Sequence, residues 1–280
     1  MTTGGQTGVS TFQFLPHAAL RPYIDRIWGW ESAKKQRVAL PTLLPGTGAE
    51  VYFHYRMPFC RNSAQAGMDF LPPAHLLCVR RAPIALQPSD QVGFVAVRFR
   101  AGMLPRFTRI PPHELIDQAC PLDELWGAAA KELAGRVAGI ASFAGKAALI
   151  QSFLLARLRS GVGDALVEQA VADIYRECAA LPIERLALRL GIGRRQLERR
   201  FKLATGQTPA EVRRLARFQK TARAVMLAPG MRYLDAALAH GYYDQAHFIR
   251  DFRELAQSTP QRHFEEARAR THFYNTPWRA

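Results

Sequence analysis

The chain has 280 residues, 48% hydrophobic and 22% charged, which is long enough for two domains with buried cores and ordinary for a soluble globular protein. No apolar run approaches the roughly 18 residues of a membrane span, and MTTGGQTGVSTF at the start lacks the basic-then-apolar plan of a signal peptide; a cytoplasmic location is expected. Four cysteines, Cys60, Cys78, Cys120 and Cys178, are scattered without zinc-ligand spacing or a disulfide pattern, so buried free thiols are expected.

The charge is uneven. Lys and Arg exceed Asp and Glu by 15 overall, and residues 181–280 hold 19 of the basic residues against 9 acidic ones. Nearly all of that excess is arginine, whose planar guanidinium forms paired hydrogen bonds to phosphate. Nucleic acid is the partner this pattern suits; a basic surface serving solubility, or a membrane-surface patch, is the plain alternative.

Short apolar runs broken by Pro and Gly fill the chain up to about Ile116. VYFHY (51–55), HLLCV (75–79) and VGFVAVRF (92–99) are expected strands, with turns at PGTG (45–48) and QPSD (87–90). Strands at this spacing imply a small sandwich or barrel. From Leu122 the pattern turns helical through LDELWGAAAKEL, GKAALIQSFLLARL and DALVEQAVADIY. Leu149, Ile150, Phe153 and Leu154 form a stripe for the core or, if exposed, a dimer seam.

The basic third of the chain repeats itself. PIERLALRLGIGRRQLERRFKLATGQTP (182–209) aligns with RYLDAALAHGYYDQAHFIRDFRELAQSTP (232–260). Ile183, Ala187 and Gly191 match Tyr233, Ala237 and Gly241 at an offset of 50; Leu197, Phe201 and Pro209 match Phe248, Phe252 and Pro260 at 51. The extra residue falls in the turn, where a loop absorbs it.

Each copy reads as helix, glycine, turn, helix. Ala187 and Ala237 leave room for a crossing helix, and Gly191 and Gly241 suit a left-handed helix end. Asp244 is placed to cap its second helix, a task for which Gly193 is weaker. Leu197 with Phe201, and Phe248 with Phe252, anchor the second helices to the core. The opposite faces then carry Arg195, Glu198, Arg199 and Lys202 in one copy and Gln245, His247, Arg250 and Arg253 in the other. Such side chains read base edges or hold phosphates. Between the copies, PAEVRRLARFQKTARAVML (209–227) reads as one helix with Pro209 at its first turn. About 18 helical residues span roughly 27 Å, near the ~34 Å between successive major grooves on one face of DNA. A modest DNA bend would make up the difference.

The paired motifs LALRLGIGRRQLERRFKLATGQTP and LAHGYYDQAHFIRDF closely resemble the DNA-binding domain of AraC/XylS-type transcriptional regulators. The resemblance covers roughly the last 100 residues. It implies base-reading positions at Arg195, Glu198 and Arg199, and at Gln245, Ala246, His247 and Arg250, flanked by phosphate contacts from Arg194, Arg200, Lys202 and Arg253. Two departures stand out: Gly193 replaces a frequent serine cap, and Gln257 stands where the first copy has Gly206. FVAVRFRAGMLPRFTRIPPHELID (94–117), followed by LDELWG, more loosely resembles the cupin-like half of family members.

The implied organisation is α+β: a cupin-like sensor or regulatory β-barrel or sandwich over 1–118, a helical linker or dimerisation region over 119–178, and an all-α domain with two helix-turn-helix motifs over 179–280. The implied partners are double-stranded operator DNA, RNA polymerase, a small-molecule effector and a second copy of the chain, with a nucleoid-associated location. No cofactor is expected. Metal-binding cupins pair nearby histidines with a glutamate, whereas His54 and His75 stand apart in sequence, so no metal is expected.

The competing reading is an enzyme, such as a DNA-repair protein with a fused helix-turn-helix domain. The scattered cysteines do not supply the four-cysteine zinc site such methyltransferases carry, GTG (46–48) is too short for a nucleotide loop, and no catalytic constellation is visible. A protein-binding helical adaptor leaves the paired arginine-bearing faces unexplained.

Overall fold

In this computed structural model, residues 3–4, 9–33, 37–63, 67–228 and 230–268 are described. Parts of the N-terminal stretch and of the expected DNA-binding domain, residues 1–2, 5–8, 229 and 269–280, lie outside them. Short β1 (Thr3–Gly4) and β2 (Val9–Phe14) lead into β3 (Ile24–Ser32), followed by β4 (Glu50–His54), β5 (Cys60–Ser63), β6 (Gly67–Phe70), β7 (Ala74–Leu77), β8 (Gly93–Phe99) and β9 (Ala119–Pro121). Seven of them form one sheet in the order β1-β2-β3-β8-β4-β7-β9, every neighbouring pair antiparallel; β5 and β6 make a separate hairpin. The three strands expected from sequence correspond to β4, β7 and β8.

Both faces of the sheet are covered. One carries Ile27, Val51, Val95 and Val97 against two helices, α2 (Ala128–Gly139) and α3 (Phe143–Arg157), entered through a short α1 (Leu122–Trp126). The positive φ of Gly127, 64°, separates α1 from α2, so the run LDELWGAAAKEL is two helices and not one. Gly29 lets α3 approach: a Cβ there would lie 2.1 Å from the Phe94 carbonyl oxygen and 2.4 Å from the Phe143 ring. Phe143 instead stacks on Phe12 at 4.3 Å between ring centroids. Ile150 and Leu154 are fully buried here, so the apolar stripe of α3 faces the core, with Leu149 and Phe153 on its rim.

The other face carries Trp28, Trp30, Tyr52 and Phe94 beneath two irregular segments joined by bridges between Val38 and Ser89, Leu43 and Ile84, and Gly46 and Arg80. His54 and His75, far apart in sequence, meet on this face with stacked rings 5.5 Å apart. Both are buried; His75 Nδ1 lies 2.6 Å from the Pro72 carbonyl oxygen, and neither nitrogen of His54 has a hydrogen-bond partner.

Helices α4 (Ala165–Glu177), α5 (Ile183–Arg189), α6 (Arg194–Thr205), α7 (Pro209–Leu227), α8 (Tyr233–Ala239), α9 (Gln245–Ala256) and α10 (Pro260–Arg268) form the rest. They make two cores. Val167, Val171 and Ile174 of α4 join Leu186, Leu197, Phe201 and Val212 in the first. Leu215, Phe218 and Val225 of α7 join Ala237, Phe248, Phe252 and Phe264 in the second. The helices of 119–178, the stretch expected as a linker or dimerisation region, divide between the sheet core and the first of these cores. The first three of them pack on the sheet, and α4 turns its apolar face to α6 and α7.

Burial holds the His75 imidazole down to about 4 and that of His54 well below its ordinary value, so both stay neutral in the folded chain. The unfolded chain takes up these protons below pH 6.5, so folding loses stability as pH falls from 6.5 towards 4, by about 1 kcal/mol per pH unit for each histidine. Urea unfolding at pH 7 and pH 5 checks this: His54→Leu should lose less stability over that interval than the parent chain.

Candidate nucleic-acid interface

Each sequence copy folds as a pair of helices, which α4 in the first case and α7 in the second complete into a three-helix unit. Helices α6 and α9 have 12 residues each and begin 51 residues apart, while α5 and α8 have 7 each and begin 50 apart. Gly191 and Gly241, with φ of 66° and 89°, end the first helix of each copy in the left-handed conformation, and a Cβ at Gly241 would lie 2.5 Å from Ala179 Cα. Ala187 and Ala237 are buried beneath the crossing helices. Leu197, Phe201, Phe248 and Phe252 have no exposed surface, and each buried large apolar side chain contributes roughly 2–3 kcal/mol.

Anchoring these residues turns the remaining faces outward. Arg195, Glu198, Arg199 and Lys202 line one surface groove with Leu203 and Thr208. On α9, Gln245, Ala246, Arg250 and Arg253 are exposed. The offset of 51 between α6 and α9 pairs Arg199 with Arg250, Lys202 with Arg253, and Arg195 with Ala246 as equivalent positions. The first face adds Arg195 to the shared basic pair but offsets it with Glu198, so the two faces carry the same net charge.

The expected contacts divide by what already holds them. Among the described residues Arg195, Arg199, Lys202, Arg250 and Arg253 make no ion pair, whereas other arginines of this region are clamps. Arg194 bonds Glu198 at 2.9 Å and Glu184 at 2.5 Å on the exposed surface. Arg200 forms two 2.6 Å bonds to Asp164, the N-cap of α4, and lies about 100° round the helix from Arg199. Arg200, expected at a phosphate, thus has an internal partner in Asp164. His247 is half-buried, edge-on to Tyr242 with centroids 5.3 Å apart, and its Nδ1 accepts a long 3.4 Å bond from the Tyr243 amide.

Two residues at this surface were not singled out from sequence. Tyr243 is 88% exposed in the turn before α9, and Leu203 is 66% exposed beside Lys202. The pair Tyr242–Tyr243 held the signal: a turn that buries one ring, whose Oη donates to Asp251 at 2.7 Å, leaves the next outside.

The helix between the copies is rigidly begun and firmly seated. Thr208 and Glu211 form a reciprocal capping box, with Pro209 at the first position of α7. Arg213 donates to the Leu181 carbonyl at 2.7 Å, Arg217 to the Gly241 carbonyl at 3.2 Å, and Arg214 bridges Asp251 and Glu254 at 2.5 and 2.6 Å. These arginines face inward and hold the two copies at a set spacing.

Comparison with known proteins agrees with this geometry. The family described as "Helix-turn-helix domain" matches residues 186–266, spanning both copies. Residues 186–266 are an AraC-type helix-turn-helix domain. A second family, "Domain of unknown function (DUF6597)", matches residues 12–121, from β2 to the end of β9. A comparison with curated proteins returned no match. Similar solved structures include the C-terminal domain of AraT, a response regulator from Geobacillus stearothermophilus, at 19% identity, covering 40% of this chain and 93% of that one with a TM-score of 0.36. A probable AraC family transcriptional regulator from Rhodopseudomonas palustris is 25% identical over 38% of this chain and 99% of that one, TM-score 0.34. ToxT from Vibrio cholerae is 10% identical over 92% of this chain and 97% of its own, TM-score 0.48.

The caps of the AraC-type domain differ as the sequence suggested. Asp244 accepts from the His247 amide at 2.7 Å, while Gly193 makes no side-chain cap bond. At the far ends Gly206 has φ 74° and Gln257 φ 52°, so the glutamine holds a left-handed conformation. That conformation costs a residue with a Cβ roughly 1–2 kcal/mol, against a smaller entropic cost for glycine. Gln257→Gly should raise stability by about 0.5–1 kcal/mol. Gly206→Gln should lower it by more, since a Cβ there would sit 3.2 Å from the His113 backbone. Urea titration of both variants checks the opposite signs.

Proposed function

We infer that the chain is a sequence-specific DNA-binding transcriptional regulator whose two reading helices, α6 and α9, enter successive major grooves of one operator. The observation that carries this is the division among its arginines: those between the helices are bonded inward, while Arg195, Arg199 and Arg250 stand without ion pairs on the two outward faces. An exposed arginine with no internal partner is suited to guanine, and a Glu or Gln beside it to cytosine or adenine. In this reading Arg195, Glu198 and Arg199, with Gln245, Ala246, His247 and Arg250, meet base edges, while Lys202, Arg253 and exposed Arg194 meet phosphates.

The N-terminal sheet and its helices form the regulatory half, taking a small effector or joining a second copy, with RNA polymerase as the further partner of an activator. The one observation bearing on a separate enzymatic role is that all four cysteines are free and buried, which suits packing and not nucleophilic chemistry. Among the described residues no helix is long and apolar enough to cross a membrane.

Selection of bound fragments from a genomic DNA pool tests the reading, and enrichment of one motif with two half-sites about a helical turn apart is expected. At that site Arg199→Ala and Arg250→Ala should each cost about 1–3 kcal/mol and relax specificity at one base pair. Equal loss on every sequence would make the residue a phosphate contact instead. Affinity should fall steeply with salt, and Lys202→Ala should lower the slope of log K against log salt by about 1. Arg200→Ala should leave that slope unchanged and lower folding stability.

A further inference from the structure

A cavity of about 440 Å³ lies where the regulatory half meets the DNA-binding half, a size typical of small-molecule sites. Its floor is set by strand register. Three rows cross the sheet from β3 through β8 to β4: Arg26, Arg98 and Glu50; then Trp28, Ala96 and Tyr52; then Trp30, Phe94 and His54. One face therefore passes from ionic at the end towards the DNA-binding half to aromatic further along. Arg26, Arg98, Glu50, Trp28 and Tyr52 all line the cavity.

Charge in the cavity is out of balance. Arg26 and Arg98 are directly opposed across β3 and β8, an arrangement unfavourable for like charges. Asp25 holds Arg26 at 3.0 Å, but Glu50 is shared between Arg80 and Arg98 at 3.7 Å each and also accepts from Tyr52 Oη at 3.1 Å. Arg80 is 5% exposed, lines the cavity, and its Nη1 has no hydrogen-bond partner. The remaining acidic groups of the wall, Glu168 and Glu266, are held by Arg106 at 2.7 Å and Arg262 at 2.8 Å. A buried guanidinium with an unmet donor beside two opposed arginines calls for an anion.

The opposite wall belongs to the DNA-binding half. Lys220 and Gln219 of α7 and Val171 and Tyr175 of α4 reach the cavity. Gln219 also donates to the Pro45 carbonyl at 3.0 Å and accepts from Arg98 at 3.4 Å, and Thr47 bonds Tyr175 through their hydroxyls. Anything bound here touches the helix that spaces the two reading helices.

We propose that this cavity is the effector site and that its ligand is a small organic anion, its acidic group on Arg80, Arg98 and Lys220 and its apolar body on Trp28, Tyr52 and Val171. The inference rests on the reading of the N-terminal half as effector-binding, and it adds the place, the chemical class and a ligand contact from α7.

Calorimetric titration of the full chain with 2-naphthoate and with its uncharged twin 2-naphthamide tests it. One naphthoate per chain should bind saturably, raise the melting temperature and quench tryptophan emission, and the amide should bind at least tenfold more weakly. Lys220→Met, on the rim of the cavity, should weaken naphthoate at least tenfold with an unchanged circular dichroism spectrum. Arg98→Met should do the same, and Lys220→Met guards against loss of folding in that variant. Absence of saturable binding, equal binding of the amide, or unchanged affinity in Lys220→Met would overturn the proposal. Failure of the regulator reading is separate: it appears as a genomic pool without an enriched motif, whatever naphthoate does.

Discussion

The position of each reading helix depends on one ion pair, made twice with its charges exchanged. In the second unit Asp251 of α9, 7% exposed, accepts from Arg214 of α7 at 2.5 Å and from Tyr242 at 2.7 Å. In the first, the residue 51 positions earlier is Arg200, and its partner Asp164 lies 50 positions before Arg214. The same two sites carry acid and base in opposite order. Each pair locks the back of a reading helix to the helix that opens its unit, so the front has a fixed direction. Losing Arg214 leaves the buried Asp251 carboxylate without its ion pair, a penalty larger than the bond itself contributes, whereas the partly exposed Arg200–Asp164 pair loses less because water reaches it.

That duplication explains how much of the DNA-binding half was legible. Helix, glycine, turn and helix each leave a local mark, and a second copy tests every mark against its equivalent. Gly191 and Gly241, the buried Ala187 and Ala237, the Asp244 cap and the start of α7 at Pro209 could all be read this way. Arg200 could not. On sequence alone it is one more arginine in a basic helix, and only the distant Asp164 shows that it faces inward.

The sheet was less legible for a different reason. Periodicity reports a strand that is wet on one side, whereas β3 is covered on both, by α3 and by the segments around Leu43 and Ile84. Its IDRIWGWES therefore shows no simple alternation, and β3 is not among the strands expected from sequence. Gly29 is there for the ring of Phe143, contributed by a helix more than a hundred residues later. The meeting of His54 with His75 is likewise a product of pairing between β4 and β7, which offsets Tyr52 against His75. Long-range contacts of this kind are set by register, and register has no local signature.

The arginine excess that first suggested nucleic acid serves three purposes, distinguishable by burial and partner. Arg213, Arg214 and Arg217 bond the two helical units together, Arg195, Arg199 and Arg250 face outward, and Arg26, Arg80 and Arg98 crowd the sheet end beneath α7. The first and third groups meet on one helix: α7 is bonded to both units by its arginines, and its Gln219 accepts from Arg98 of β8 and donates to the Pro45 carbonyl. Because 19 helical residues behave as a rod, a shift of α7 against the sheet displaces both reading helices together without bending the domain. On the proposed function, the spacing between the two helices offered to DNA is thus fixed inside the helical half. On that same proposal, what the N-terminal half could change is how the helical half is seated, which is a matter of the charges packed between them.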